Sequence, residues 1–358
     1  HLFYIYRMIK TYLFLIILIF SIQNSFSQIR KKAEFGKPTL NEFRLTSYEK
    51  DPEAAGVVLF ESGENKIKLQ DNRILLIKEV HRKIKVINAK NFNNAMVEIP
   101  YYKGKISKEN ITFLKAITHN DKLQTFISKE NFFDIDVNEN WTLKRFTFSN
   151  IKDGSILEYK YTITSPFFFN FGSWKFQKDL PTMYSEFSIE IPGNFVYHKS
   201  LIGKHPLYLN EATLKNHCFS IPGTNMDASC EIGLYAMVDV PAYEEENHML
   251  SKENYINRLD FELREYTNHI GEKEFYTKRW KDVDSEYKHD KHIGRQLYNK
   301  SYFKNQLSEK ILSTPNELEK AKSIYNFIKN HYTWNGDYSI FNGTNVKGAF
   351  EKKSGSIA

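Results

Sequence analysis

From Val57 to about Phe261 the apolar residues of this chain recur at every second position, and that period limits the possible folds more than any single motif does. Period two places successive side chains on opposite faces of an extended backbone, whereas a helix needs a repeat of three to four. Segments 57–60, 67–69, 74–87, 95–99, 111–117, 141–148, 156–163, 183–191 and 195–197 all read as strands. The residues between them are turn formers: Asn120-Asp121, Lys152-Asp153-Gly154 and Pro192-Gly193-Asn194 tolerate the dihedrals that reverse a chain. Many strands, punctual turns and few helical windows predict a mainly β fold, a large antiparallel β-sandwich. Within 183–191, Phe187, Ile189 and Ile191 share one parity and are assigned to the core, leaving Tyr184, Glu186, Ser188 and Glu190 for the opposite face.

Composition supports a packed chain with room for roughly two domains. Of its 358 residues 41% are hydrophobic and 15% aromatic, which excludes a disordered or collagen-like protein. The formal charge is +7, but the Lys and Arg residues are scattered, and the densest run is only Arg30-Lys31-Lys32. A nucleic-acid binder gathers such charges into a stripe that neutralises several phosphates at once, so nucleic acid is not an expected partner. There is no phosphate-cradling Gly loop, no metal-ligand spacing and no glycosidase-like carboxylate pair, so neither a metal nor another cofactor is expected.

The N-terminal region carries an address. Met8-Ile9-Lys10 precedes an apolar run over 12–22 and then Ser25-Phe26-Ser27, the order of a secretory signal peptide. The run is well short of the about 20 residues that span a bilayer, so cleavage after Ser27 is expected, with residues 1–7 lying upstream of the start. The predicted location is the periplasm or cell exterior, with no membrane span after cleavage. In that oxidising setting Cys218 and Cys230, which flank Pro222-Gly223-Thr224-Asn225, are candidates for a disulfide. A reactive thiol at either position finds no support, since neither sits at a helix start.

The stretch from Pro166 to Trp174 is unusually aromatic. Phe169, Phe171 and Trp174 are candidates for a glycan-binding platform, because aromatic faces stack sugars, but core packing is the favoured reading. After Val240 the character changes. Glu244-Glu245-Glu246-Asn247-His248 reads as a solvated acidic linker, since no second His follows at ligand spacing. Leu259, Phe261 and Leu263 give one further strand, and Trp280 opens a helical region. A helix after Ser313 is expected to be capped by Thr314, with Pro315 in its first turn and Glu317 closing a capping box. It should bury the stripe Leu318, Ala321, Ile324, Tyr325 and Ile328.

The export signal, the strand-rich region with Asp51-Pro-Glu-Ala-Ala-Gly-Val-Val-Leu-Phe60, Phe176-Gln-Lys-Asp-Leu-Pro181 and Ser185-Glu-Phe-Ser-Ile-Glu-Ile-Pro192, and the helix ending in Ile328-Lys-Asn-His-Tyr332 follow one another in an order that resembles a bacterial family. Its members are exported proteins in which an N-terminal domain of unknown function precedes a transglutaminase-like domain. The resemblance covers most of the mature chain. It implies a segmentation into 1–27, 28–265 and 266–358, the last being the helical start of an α+β transglutaminase-like (papain-like) domain. In active members a loop leads from this helix to a Cys at the next helix start, where the helix dipole and a His lower the thiol pKa. By that similarity the loop is 336–353, and Ile357 stands where the Cys should be. An aliphatic side chain has no lone pair to donate, so this position supports no acyl transfer. Shifting the register by one residue offers Ser356, which reads instead as a helix cap. His331 ends the preceding helix and is not a substitute base. No catalytic residue is therefore assigned. The expected function is a non-catalytic binding or scaffolding module for an envelope protein, peptide or glycan. The alternative is a cysteine peptidase or acyl transferase acting on envelope peptides.

Overall fold

The computed structural model describes residues 30–356 apart from positions 122, 139, 225, 226, 277, 278, 292, 299 and 338–344. The export segment at 8–27 and Ile357 lie outside the described residues. The chain divides into two units, His1–Tyr276 and Thr277–Ala358. Strand pairing thus runs past position 265, because a last strand folds back on its predecessor before the first unit ends.

The first unit starts with a short helix, α1 (Leu40–Arg44), and then builds the strands β1 (Gly56–Gln70), β2 (Arg73–Val86), β3 (Met96–Tyr102), β4 (Asn110–Asn120), β5 (Leu123–Phe126), β6 (Phe133–Asp136), β7 (Trp141–Thr147), β8 (Ile156–Ser165), β9 (Gly172–Lys175), β10 (Thr182–Pro192), β11 (Phe195–Ile202), β12 (Leu209–Ser220), β13 (Asp227–Val240), β14 (Arg258–Thr267) and β15 (Lys273–Phe275). Eight of them form one sheet in the order β12-β13-β10-β1-β2-β8-β4-β5. The fold is mainly β with large antiparallel sheets. The one parallel pair in this sheet is β1 with β10, where Val58 faces Thr182 and Lys66 faces Glu190. Two smaller sheets complete the unit: β14 pairs with β11, β15 and β9, and β7 pairs with β3 and β6.

Both small sheets pack on the same face of the large one, over separate cores. Ile67, Leu76, Phe187, Ile189 and Met237 meet Phe261 and Leu263 of the β14 sheet in one core. Val58, Ile84 and Leu157 meet Ile99 and Phe146 of the β7 sheet in the other. The predicted inward parity of Phe187, Ile189 and Ile191 is what the structure shows. The opposite parity is not solvent-facing as expected, since Tyr184 and Glu186 are also buried. The reason is that the second face of the sheet is covered too. Double coverage also explains the four consecutive buried residues Val57, Val58, Leu59 and Phe60: the ladder with β2 slips between Val58 and Phe60, and the extra residue sends apolar side chains to both faces.

The aromatic stretch belongs mostly to the first core. Trp174 stacks on Phe187 with ring centroids 5.3 Å apart and donates its indole N–H to Ser185 Oγ at 3.1 Å. The ring lies against Gly63, where an added Cβ would meet Trp174 Cζ3 at 2.2 Å.

The second unit holds α2 (Trp280–His289), α3 (Lys300–Lys304), α4 (Glu309–Leu312), α5 (Glu317–His331), β16 (Thr333–Trp334), α6 (Val346–Lys352) and β17 (Ser354–Gly355), with β16 and β17 paired in parallel. The cap of α5 is not Thr314. Asn316 accepts from the backbone N–H groups of Leu318 and Glu319, while the Thr314 hydroxyl donates to the Lys310 carbonyl. The carboxamide one residue before the helix reaches two orphan amides and displaces the hydroxyl two residues further back. The stripe on α5 is not buried either: Leu318 is 63% exposed and no residue of the helix is fully covered. The segment expected as a loop at 336–353 contains α6, capped by Asn345, whose side chain accepts from the Gly348 N–H, and closed by Lys353 in the left-handed region at φ 53.

Because the Trp174 ring has no room to move away from Gly63, Gly63→Ala should destabilise the first unit by about 1–3 kcal/mol. A drop in the urea midpoint with an unchanged slope would show this, and an unchanged midpoint would mean that the ring repacks without cost.

Candidate functional site

The covered second face of the large sheet is where chemistry-bearing side chains converge. Even positions of β8 and odd positions of β2 point there, and alongside the apolar Leu75 and Ile156 they bring polar and charged side chains: His81, Lys83, Lys85 and Glu158 are all buried. Segment 30–48, which follows the expected export segment, lies over them and supplies partners along its length. Arg30 grips Glu186 through Nη2–Oε1 at 2.7 Å and Nε–Oε2 at 3.1 Å. The Lys31 N–H donates to Tyr184 Oη, the Gly36 N–H to Glu158 Oε2 at 2.9 Å, and Lys83 Nζ to Glu42 Oε1 at 3.2 Å. Lys85 Nζ donates to the carbonyls of Phe43 and Gly154. Tyr48 closes the strap by donating to Asp239 Oδ1 at 3.0 Å.

At the centre, the Glu158 carboxylate is 0% exposed and sits between two imidazoles. His81 Nε2 lies 2.7 Å from Oε1 and His119 Nε2 lies 2.9 Å from Oε2. The three residues come from β2, β8 and β4, neighbouring strands whose pleat brings them to one diagonal line. An ionised carboxylate can only accept, so both imidazoles must carry the proton on Nε2. Burial alone would push the carboxyl up, but bonds from His119, His81 and the Gly36 N–H, with the charge of Lys83, draw it down to about 2. The His81 ring is flanked by Phe35 and Phe60.

A carboxylate oriented on an imidazole is also part of a hydrolase triad, but there the second ring nitrogen faces a nucleophile. His119 Nδ1 is buried with no hydrogen-bond partner, and among the described residues no hydroxyl or thiol bonds either ring. The described residues likewise contain no cluster of three or more His, Cys, Asp or Glu arranged to hold a metal ion. What this arrangement does is fix one negative charge and, through Gly36, tie the strap to the sheet. Beside it, a cavity of about 290 Å³ opens between Arg30, Lys31, Glu64, Glu79, His81 and Lys160.

A second charged cluster lies on the other face, between the two cores. Glu61 accepts from Arg82 Nε at 3.1 Å and from Lys178 Nζ at 2.6 Å. Burial, and then repulsion by Arg82, draw the Lys178 ammonium down to about 8 in spite of its bonds to Glu61.

The residues singled out in the sequence are scattered. Phe171 and Trp174 are buried, with Phe171 against Tyr197 and Phe261, whereas Phe169 is 48% exposed and stacks on Tyr276. These three rings present no common face. Cys218 and Cys230 are joined by a disulfide across the β12–β13 hairpin, with Cα atoms 5.8 Å apart. His331 stacks on Phe350 at 4.1 Å and pairs its Nε2 with the Phe350 carbonyl at 2.9 Å. Ser356 is half-buried directly after β17, and nothing beyond it is described. The sequence reading passed over His81, His119, Glu158, Glu61 and Arg82. The available signal was the alternation of charged with apolar residues in His81-Arg-Lys-Ile-Lys-Val86, which reads as a solvated face unless the sheet is known to be covered twice.

No family model matches the chain, and no curated protein does. Among solved structures it is similar to a "putative protease" from Parabacteroides distasonis ATCC 8503, at 14% identity and a TM-score of 0.55, over 84% of this chain and 56% of that one. The chain therefore spans a little more than half of that protein, and at this identity the likeness is one of fold. Legionella pneumophila aminopeptidase A, in complex with aspartic acid, matches at 8% identity over 62% of this chain and 23% of its own, with a TM-score of 0.26, which carries no argument.

A carboxylate whose folded pKa is depressed contributes stability that is complete above its unfolded value and is lost as pH falls toward the folded one. For Glu158 that window runs from about 4.3 down to about 2 and holds on the order of 3 kcal/mol. Urea unfolding across this range should show the wild type weakening steeply, with Glu158→Gln less stable at neutral pH and shallower in its acid slope. Parallel curves for the two proteins would refute the role given to this carboxylate.

Proposed function

We propose that this is an exported, transglutaminase-like protein that works at the cell envelope by holding a partner and performs no covalent acyl transfer. The observation that carries the reading is the fate of sulfur. The sequence has two cysteines, and both are committed to the disulfide of the β12–β13 hairpin. A nucleophilic thiolate needs a free sulfur near a positive potential, and a disulfide supplies neither the electron pair nor the charge. Two further observations support the reading. His331, the imidazole nearest in sequence to the family's nucleophile position, spends one ring nitrogen on a backbone carbonyl and its face on Phe350. In the strand-rich unit, the buried His81 and His119 are both engaged by one buried carboxylate.

The second reading is a cysteine peptidase or acyl transferase acting on envelope peptides. What favours it is the likeness in fold to a chain described as a protease, together with the resemblance of the helical unit to the transglutaminase-like start. The two readings differ in whether a thiol reacts. Treating the native protein with iodoacetamide should leave its mass unchanged, two adducts should appear only after reduction in denaturant, and no amine should be released from a mixed peptide substrate. A native adduct accompanied by peptide amine release would overturn the binding reading.

A further inference from the structure

The large sheet ends on β12. This strand is paired with β13 on one side, and among the described residues no strand pairs with its outer edge. Residues 210–217 form eight consecutive exposed positions, including Leu214 at 70% exposure. An open edge of this length is a template for another strand, and soluble proteins usually blunt such edges with charge, bulges or a covering segment. Here the charges are placed in a way that selects a partner.

We propose that two copies of this chain pair antiparallel through β12, with the two-fold axis at Thr213, joining their large sheets into one continuous sheet. In an antiparallel pair the paired positions keep a constant sum. With Thr213 opposite itself, Glu211 falls opposite the second copy's Lys215, and Lys215 opposite its Glu211. Asn210 and Asn216 face each other in the same register, and Ala212 lies opposite the exposed Leu214. Oppositely charged cross-strand pairs are favourable and like charges are not, so this register is self-complementary where slips of two or four residues are not.

The rest of the edge fits a closed pair. Among the described residues Glu211 has no hydrogen-bond or ion-pair partner, and Lys215 reaches over β13 to Glu190 of β10, at 2.9 Å. The register slip between Lys215 and Phe219, with His217 at φ 51, ends the straight stretch and so limits the seam. The opposite edge of the sheet is β5, only four residues long, which gives little basis for growth into a fibre. A seam of this kind is isologous, with each edge consumed by its own copy.

Sedimentation equilibrium on the purified chain over a range of concentrations tests this directly. The wild type should show a monomer–dimer equilibrium. Glu211→Lys and Lys215→Glu should each weaken the dimer at least about tenfold, by setting like charges opposite one another twice. The double exchange should restore it, and an equal mixture of the two single variants should form a heterodimer. Thr213→Cys offers a reading independent of affinity: a residue on the axis should crosslink to itself under mild oxidation, whereas Asn210→Cys should not. A wild type that stays monomeric throughout, or charge exchange that fails to restore association, overturns the proposal. Neither outcome bears on thiol labelling, so the failure of this inference and of the binding reading can be told apart.

Discussion

A carboxylate with no exposed surface governs how the first unit is assembled. Leaving Glu158 charged in the interior is tolerable only because every direction around it supplies a proton donor or a positive charge: two imidazoles from neighbouring strands, a backbone N–H from the overlying segment and the Lys83 ammonium close by. Removing one partner from such a set leaves a charge that water cannot reach, which costs far more than an exposed ion pair is worth. The sheet and the strap are therefore coupled. The strap docks on a face that would be strongly destabilised without it, and the strap itself, with little regular structure, is ordered by the charges beneath it.

The other face solves the same problem differently. Two small sheets cover it, and the strip between their cores is occupied by Glu61, Arg82 and Lys178 instead of a third apolar layer. Arg82 and Glu61 face each other on adjacent strands only because the ladder between β1 and β2 slips after Val58. Without that extra residue Glu61 would point into the strap side and Phe60 into the charged strip. One irregularity thus sorts apolar from charged residues on both faces at once.

The strand-rich character was legible because its cause is local: alternating burial imposes alternating hydrophobicity. What was not legible depended on partners distant in sequence. Tyr184 and Glu186 are buried by Arg30 and Lys31, more than 150 positions away, and nothing in segment 183–191 announces that. The parallel pairing of β1 with β10 joins strands that the sequence leaves unrelated, since period two is the same for either direction. On α5 the amphipathic stripe was readable, but whether a stripe is covered is a property of what packs there. The cap passed from Thr314 to Asn316 because two side chains of similar capability competed, and only geometry decides between them. The central carboxylate was the least legible of all, for a Glu flanked by Leu157 and Tyr159 looks like any solvated strand position until its face is found to be closed.

The disulfide gathers these points into an argument about function. Pairing between β12 and β13 is regular from Leu209 to Lys215, breaks, and resumes at Phe219, so the hairpin has a weak point where its register could slide. A slide of one residue would invert every side chain of β12. Cys218 lies inside that break and Cys230 on the intact partner strand, so the bond pins the two strands where hydrogen bonding does not. Closing so short a loop constrains the unfolded chain by about 3 kcal/mol, a large share of the stability of an ordinary domain. Sulfur placed there does a structural task that explains its presence in full. It holds the outermost strand of the sheet in one register and thereby fixes which residues its open edge displays.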